Sequence, residues 1–346
     1  MNFEKEPSRY DELPEDHELV SKYQPRFLNR GGEHLVYLVD GHPNLVIKAS
    51  TYKIKDSVMS IIDKQGIIDD KILEDEAREK YEDEVKRKND EIRQLRFSFG
   101  KDHTLKERRY LMKVPVSYEL LKEIFANDYF ARVLPDSAKN INEVWTHVVV
   151  QEFTEISEDS NRLSLSYGHF IENGEVDQEL YQRVTSTLVD PSSTDFKGRD
   201  FLDLQDCSKN KSLSKLITMA ETNAQLKEQL ENFVKTAIKY TEETGQILAL
   251  AGEDNVLFSQ ENGVWNFLLV DVLPNSPEPI FKIIKELGEK ISKNINLTLE
   301  DKEYFKRGIN FVRIINGLAR SLGLQDQLKL PDIFSNVNLL EIINKK

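Results

Sequence analysis

The sequence contains very little cysteine and no long apolar run. Cys207 is the one cysteine among 346 residues, so the chain can form neither an internal disulfide nor a thiolate metal cluster. Six histidines are scattered without the spacing of a metal site. No segment approaches the roughly 18 apolar residues of a membrane span, and residues 1–18 lack the basic-then-apolar pattern of a signal peptide. These absences predict a cytoplasmic protein that does not bind a membrane.

Basic residues are also fewer than acidic residues. The chain has 60 acidic and 47 basic residues, which gives a net charge of −13. Such a chain repels a polyanion unless its basic residues cluster in space, so we do not expect nucleic acid as a partner. The length and an apolar content of 39% are sufficient for one bilobal domain or for two ordinary ones.

The first half of the chain has the pattern of a sheet that carries helices. Residues 26–50 contain three short apolar runs separated by turns, which predicts three antiparallel strands. Residues 69–99 are rich in charge and have apolar residues at helical spacing, which predicts a long amphipathic helix. We expect further strands at 109–116 and 145–153, with a helix at 117–127 between them.

Helical patterns dominate after about residue 176. The most extended predicted helix covers residues 213–243, and the last two lie near 278–294 and 301–322. Two strands, at 256–258 and 265–272, interrupt the series and are joined by a Glu-Asn-Gly turn. Residues 1–22 are charged and are expected to form a flexible lead-in. The fold class predicted from this order is α+β.

Two segments of the first half have a chemistry that suits phosphate binding. Gly31 and Gly32 lie between two strands, where the backbone can approach phosphates, although an ordinary hairpin turn has the same pattern. Lys48 ends the next apolar strand, from which it could neutralise phosphates. A surface lysine is equally common at that position.

Two segments of the second half have a chemistry that suits a divalent metal. Asn255 follows a polar loop and precedes an apolar strand, which could fix its amide oxygen as a metal ligand. Asp271 ends the apolar strand 266–270, where a carboxylate is costly unless it is paired or bound to metal. The alternative is that Asp271 accepts backbone hydrogen bonds in a turn.

In their order, these four segments resemble the nucleotide-binding elements of the protein kinase and aminoglycoside phosphotransferase superfamily. The resemblance implies a bilobal protein-kinase-like fold that uses ATP with Mg²⁺ or Mn²⁺. Its N-lobe, residues 23–154, would be an antiparallel sheet with a helical insertion at about 69–99. Its mainly helical C-lobe, residues 155–346, would carry a metal-binding hairpin at 252–272.

The same resemblance implies a role for particular residues. Lys48 would contact phosphates, and a glutamate of a helix would hold it: Glu91 is preferred, while Glu84, Glu119 and Glu123 remain open. Asn255 and Asp271 would bind the metal. The remaining ATP-binding positions would be the glycine-rich loop and the hinge after strand 145–153, namely Gly31, Gly32, Glu33, Gln151, Glu152 and Thr154.

The sequence departs from the family where the catalytic aspartate belongs. That residue normally lies five positions before the metal-binding asparagine, and the position is occupied here by Leu250. Asp254, next to Asn255, is the substitute we consider, because the Glu-Asp-Asn triplet is similar to the Thr-Asp-Asn loop of selenoprotein-O-type AMPylating pseudokinases. Asp254 could equally be a turn-forming residue.

Three hypotheses follow from these patterns. The first is an ATP-dependent transferase that passes a phosphoryl or nucleotidyl group to a protein or small molecule, with Lys48, Asp254 and Asp271 as catalytic residues. The second is a pseudokinase, a nucleotide-binding interaction module whose helix at 69–99 docks a partner. The third, an all-helical scaffold, requires that the strands predicted at 26–50 and 256–271 are absent.

Overall fold

A computed structural model describes most of the chain. It covers residues 25–30, 34–64, 69–126, 134, 136–152, 161–165, 171–172, 175–176, 211–250, 255–274, 276, 278–293 and 295–329. The lead-in 1–22 lies outside these residues. The described chain is an α+β protein with two compact units, Met1–Gln94 with Leu105–Ile156, and Leu95–Thr104 with Ser157–Lys346.

The first unit is built on a five-stranded antiparallel sheet. Its strands lie in the order β1-β2-β3-β5-β4, so the third strand pairs with the fifth. This confirms the three strands predicted at 26–50 and the two predicted further along, and it excludes the all-helical hypothesis. The strands are β1 (Pro25–Arg30), β2 (His34–Val39), β3 (Leu45–Ser50), β4 (Glu107–Pro115) and β5 (Glu143–Glu152).

One face of this sheet, here called the apolar face, is covered by two helices. They are α1 (Thr51–Asp63) and α3 (Tyr118–Ala126), and their apolar side chains share one buried cluster with Tyr37 and Val148. Sequence analysis did not predict α1. Its buried residues Ile54, Val58 and Ile61 follow the i, i+4, i+7 spacing that would have indicated it.

The opposite face, here called the charged face, contacts helix α2 (Asp70–Phe99). Ala77 and Tyr81 of α2 pack with Leu111 of β4 and with Trp145 of β5. Since side chains alternate along a strand, Leu111 and Trp145 point away from the apolar face. The predicted helix at 69–99 is therefore confirmed, and its apolar stripe covers part of the sheet.

The second unit combines helices with a three-stranded sheet. The helix predicted at 213–243 is divided into α4 (Lys211–Thr222) and α5 (Ala224–Thr244) by Asn223, whose side chain accepts a hydrogen bond from the Leu226 N–H at 3.0 Å. An asparagine in this position caps a helix N-terminus and favours a new start. The described residues also form β6 (Asn161–Ser164), β7 (Ile171–Glu172), β8 (Glu175–Val176), β9 (Val256–Glu261), β10 (Val264–Leu269), α6 (Ile280–Ser292) and α7 (Leu299–Ser321).

Aromatic side chains hold the β9–β10 hairpin against helix α5. The ring of Phe233 lies 6.0 Å from that of Phe258 and 5.6 Å from that of Phe267. His103 stacks on Phe267 with ring centroids 3.9 Å apart. Because these rings are buried and interlocked, the hairpin is a rigid base for the residues at its open end.

Gly308 allows helices α6 and α7 to approach closely. A Cβ at this position would overlap Cδ1 of Ile284 and lie 2.9 Å from its Cγ1. We expect Gly308→Ala to lower the free energy of unfolding by about 1–3 kcal/mol through overpacking, although alanine by itself favours a helix by about 1 kcal/mol. Chemical denaturation measures the change. Adding Ile284→Val to the variant should restore part of the loss, and a stabilised single variant would contradict the prediction.

Candidate functional site

In the second unit, the candidate metal ligands lie at the open end of the β9–β10 hairpin. The strands pair in register from Val264↔Glu261 to Leu269↔Val256. Asn262 and Gly263 both have positive φ, 51° and 82°, as a two-residue hairpin turn requires. The hairpin predicted from the sequence is thus confirmed, and Asn255 and Asp271 flank its two strands.

Three hydrogen bonds join the segments at this open end. The Val270 N–H donates to the Asn255 carbonyl at 2.9 Å, and the Ala249 N–H donates to the Val272 carbonyl at 2.7 Å. The Asn255 side-chain Nδ2 donates to the Ala249 carbonyl at 2.8 Å. This last bond fixes the carboxamide, and within the described residues its Oδ1 accepts no hydrogen bond. Asn255 therefore has a fixed carboxamide whose oxygen is of the kind that Mg²⁺ binds.

Asp271 is exposed, which corrects the argument made from the sequence. Its carboxylate is hydrated and has no hydrogen-bond or ion-pair partner in the described residues, so burial does not oblige it to bind a metal. It directly follows Val270, whose backbone pairs with Asn255. No group of three or more His, Cys, Asp or Glu side chains suited to a metal occurs in the described part of the chain. Asn255 and Asp271 would supply two ligands, and Mg²⁺ commonly completes its shell with water and phosphate oxygens.

Position 250 belongs to the hydrophobic core. The side chain of Leu250 is 4% exposed, and Ile247 and Leu248 beside it are also buried. An aspartate at this position would place a carboxylate in apolar surroundings, which is costly. The position where the resemblance would place a catalytic acid is therefore a packing position, and Leu250→Asp would bury a charge there.

In the first unit, Lys48 lies on the charged face of the sheet. Its neighbours across the strands are Val36 on β2 and Val149 on β5. The side chain is half-buried, and within the described structure it makes no hydrogen bond or ion pair. A half-buried ammonium without a counter-ion is stabilised by water, which an anionic ligand could replace.

The two described hinge residues lie opposite the start of β3. Gln151 pairs with Val46 and therefore lies on the same face as Lys48, where it is buried. Glu152 pairs with Leu45, and its N–H donates to the Lys106 carbonyl at 2.8 Å. That N–H is consequently not free to contact an adenine ring. Five other predicted site residues lie outside the described residues: Gly31, Gly32, Glu33, Thr154 and Asp254.

Glu91 does not contact Lys48. Its Oε1 accepts from Arg87 Nη1 at 2.7 Å, and its Oε2 accepts from Lys88 Nζ at 2.7 Å. Residues three and four positions apart lie on one side of a helix, so cations within α2 reach this carboxylate first. Lys88 is buried, and Glu91 compensates its charge. The expected pair between Lys48 and Glu91 is replaced by these contacts.

Glu84 pairs with Lys53 and not with Lys48. Its Oε2 accepts from Lys53 Nζ of helix α1 at 2.6 Å, and its Oε1 lies 3.7 Å from Nδ1 of His147. Burial raises the pKa of the Glu84 carboxyl, but the hydrogen bond from Lys53 and the nearby positive charges outweigh it and lower the pKa overall. The other two candidates, Glu119 and Glu123, are exposed on α3, which covers the apolar face. Sequence analysis did not identify Lys53 as the partner of Glu84, because helix α1 was not predicted.

His147 is a buried neutral histidine at the centre of this charged face. Burial, followed by the positive charge of Arg109, lowers its pKa from 6.5 to about 3, despite the opposing charge of Glu84. Its Nε2 has no hydrogen-bond partner in the described residues. The groups that face it are Glu84 and Lys88 from α2, Lys53 from α1 and Arg109 from β4.

The depressed pKa of His147 predicts a loss of stability in mild acid. The unfolded state binds a proton near pH 6.5 and the folded state only near pH 3, so stability falls as the pH drops from about 6.5 towards 3. Between pH 7 and pH 5 this residue should cost about 2 kcal/mol of unfolding free energy. His147→Gln should flatten the pH dependence in urea titrations, whereas His42→Gln, at an exposed turn, should not. Equal slopes for all three proteins would contradict the assignment.

Comparison with known proteins assigns this chain to no family. No family model, no curated protein and no solved structure matches it. Among the described helices, none combines the length and the apolar character that crossing a bilayer requires.

Proposed function

We propose that this chain is an ATP- and metal-dependent transferase of kinase-like fold, acting on a protein or a small molecule. The observation that carries the proposal is the geometry of Asn255. Its carboxamide is fixed by the Ala249 carbonyl, its Oδ1 accepts no hydrogen bond from the described residues, and Asp271 lies at the same end of the hairpin. An amide oxygen and a carboxylate that flank one hairpin are the two protein ligands with which kinases hold their metal ions.

Lys48 supports the same proposal from the first unit. It lies on the third strand of an antiparallel sheet, and a helix on the same face follows it in the chain. Phosphoryl transfer depends chiefly on positioning and on neutralising charge, which an unpaired lysine can provide to phosphates. The proposed cofactors are therefore ATP and Mg²⁺ or Mn²⁺. Asp254 is the proposed catalytic acid.

Leu250 favours a second candidate, a pseudokinase that binds nucleotide without transferring a group. Its burial means that a carboxylate in the usual catalytic position would lie in apolar surroundings, which is costly. If Asp254 does not replace that group, the chain would respond to ATP as an interaction module. Binding assays alone do not separate the two candidates.

Transfer of a labelled phosphate distinguishes them. Purified protein is incubated with Mg²⁺ or Mn²⁺ and with ATP labelled at either the α- or the γ-phosphate. Incorporated γ label indicates a kinase, incorporated α label indicates nucleotidyl transfer, and saturable binding without incorporation indicates a pseudokinase. Where label is incorporated, Asp254→Asn should abolish turnover with little loss of ATP affinity, because it removes a charge needed mainly in the transition state. Full activity of this variant would refute the role of Asp254.

Metal-dependent stabilisation tests the hairpin ligands. ATP with Mg²⁺ at a hundred times its Kd should stabilise the native state by about 2.7 kcal/mol, because the unfolded chain does not bind it. Asn255→Ala and Asp271→Asn should each remove most of the resulting rise in melting temperature. Asp326→Asn, at an exposed position of the same unit, serves as the matched control. If the hairpin variants respond as fully as the control, these residues do not bind the metal.

Lys48 is tested by affinity. Lys48→Met should raise the Kd of Mg-ATP about tenfold or more, since one charge-assisted contact to phosphate contributes about 1.5–3 kcal/mol. Lys139→Met removes an exposed lysine and should leave the Kd unchanged. Isothermal titration calorimetry provides both values. An unchanged Kd for Lys48→Met would exclude this lysine from the phosphate site.

A further inference from the structure

Two cations flank the same residue on the charged face of the first unit. Val149 of β5 pairs with Lys48 of β3 on one side and with Arg109 of β4 on the other. Directly paired residues of antiparallel strands point to one face, so all three side chains share it. With strands about 4.8 Å apart, the two cationic residues start about 10 Å from each other. Both side chains are long enough to converge above Val149.

Arg109 is anchored by its backbone. The Arg109 N–H donates to Asn89 Oδ1 at 2.8 Å, and Asn89 Nδ2 donates to the Arg109 carbonyl at 3.0 Å. Its guanidinium makes no hydrogen bond with the described residues, and its Nε is buried without a partner. A buried Nε–H without a partner is unusual, because buried donors are normally satisfied.

The nearby carboxylates are already engaged. Glu84 accepts a hydrogen bond from Lys53, and Glu91 accepts from Lys88 and Arg87. Glu107, two residues before Arg109 on the same face, does not pair with it. Arg109 is near enough to Glu84 for its charge to help lower the pKa of that carboxyl, but Glu84 and Glu91 direct their recorded hydrogen bonds to other cations.

We propose that Arg109 and Lys48 together form an oxyanion site above Val149 that takes a phosphate group. A guanidinium can grip two phosphate oxygens at once, while the lysine ammonium adds a point charge. The identification of the phosphate as part of a nucleotide rests on the proposed function, but the two-cation site does not. Arg109 is thus a phosphate-contacting residue that none of the sequence motifs indicated.

Calorimetric titration with Mg-ATP and with inorganic tripolyphosphate tests the site. Arg109→Gln should raise the Kd of both ligands about tenfold or more, and Arg109→Lys should recover part of the loss. If both cations grip one phosphate, the effects of Arg109→Gln and Lys48→Met should not be additive. Lys113→Gln is the matched control, because Lys113 lies on the same strand and face but is already paired with Asp70 and Glu143. The Kd values of Lys113→Gln for Mg-ATP and tripolyphosphate should equal those of the parent.

A second pair of variants tests the site without removing Arg109. Val149→Glu places a carboxylate between the two cations, so it should compete with phosphate and abolish binding, whereas Val149→Gln should retain it.

Equal Kd values for parent, Arg109→Gln and Val149→Glu, all folded by circular dichroism, would overturn the site. If the parent and both variants bind ATP with equal Kd values, the proposed function stands but this phosphate site does not. Binding of tripolyphosphate but not ATP, sensitive to both variants, would support the site and refute the nucleotide function. A parent that binds neither ligand overturns both.

Discussion

Side-chain alternation along strand β5 organises the first unit. Val148 and Val150 enter the apolar cluster, and His147 and Val149 between them point to the opposite, charged face. A shift of register by one residue would exchange the two sets and bury the charged groups in the hydrocarbon core. The positions of Lys48 and Arg109 depend on this register, because each is defined by its pairing with Val149.

The charged face is stable because most of its ions are paired across elements. Lys53 of helix α1 and Glu84 of helix α2 connect two helices, and their side chains are only about one-fifth exposed. Asn89 connects α2 to β4 through both of its amide atoms. A helix with such a high content of charge would not bury itself on a sheet by hydrophobic contact alone. These pairs allow it to do so, and within the described residues Lys48 and Arg109 are exceptions, since neither side chain makes a hydrogen bond or a salt bridge.

Local patterns in the sequence were sufficient to predict most of the fold. The strands between 25 and 50, helix α2 and the Asn262-Gly263 hairpin all follow from spacing and turn chemistry, which depend on near neighbours. The boundary at Asn223 was missed, because a helix-capping asparagine inside a helical pattern resembles an ordinary polar residue. Helix α1 was missed although its buried residues Ile54, Val58 and Ile61 have helical spacing, so this miss does not reflect a lack of local signal.

The site was harder to predict because its properties are non-local. Whether Asp271 is exposed depends on residues that the sequence does not place side by side. Glu91 illustrates the difficulty, because its partners Arg87 and Lys88 were visible in the sequence, but only packing shows that Lys88 is buried and demands a counter-ion. Arg109 illustrates the same point, since only the structure shows that its Nε is buried without a hydrogen-bond partner in the described residues.

The packing of Leu250 restricts how any transfer reaction could proceed. Because the side chain at this position belongs to the core, an acid introduced there would face apolar neighbours and not a substrate. A transferase built on this hairpin must therefore take its acid from elsewhere in the loop before Asn255, or dispense with one. Phosphoryl transfer tolerates the second option better than most reactions, because much of its barrier is lowered by positioning and by neutralised charge.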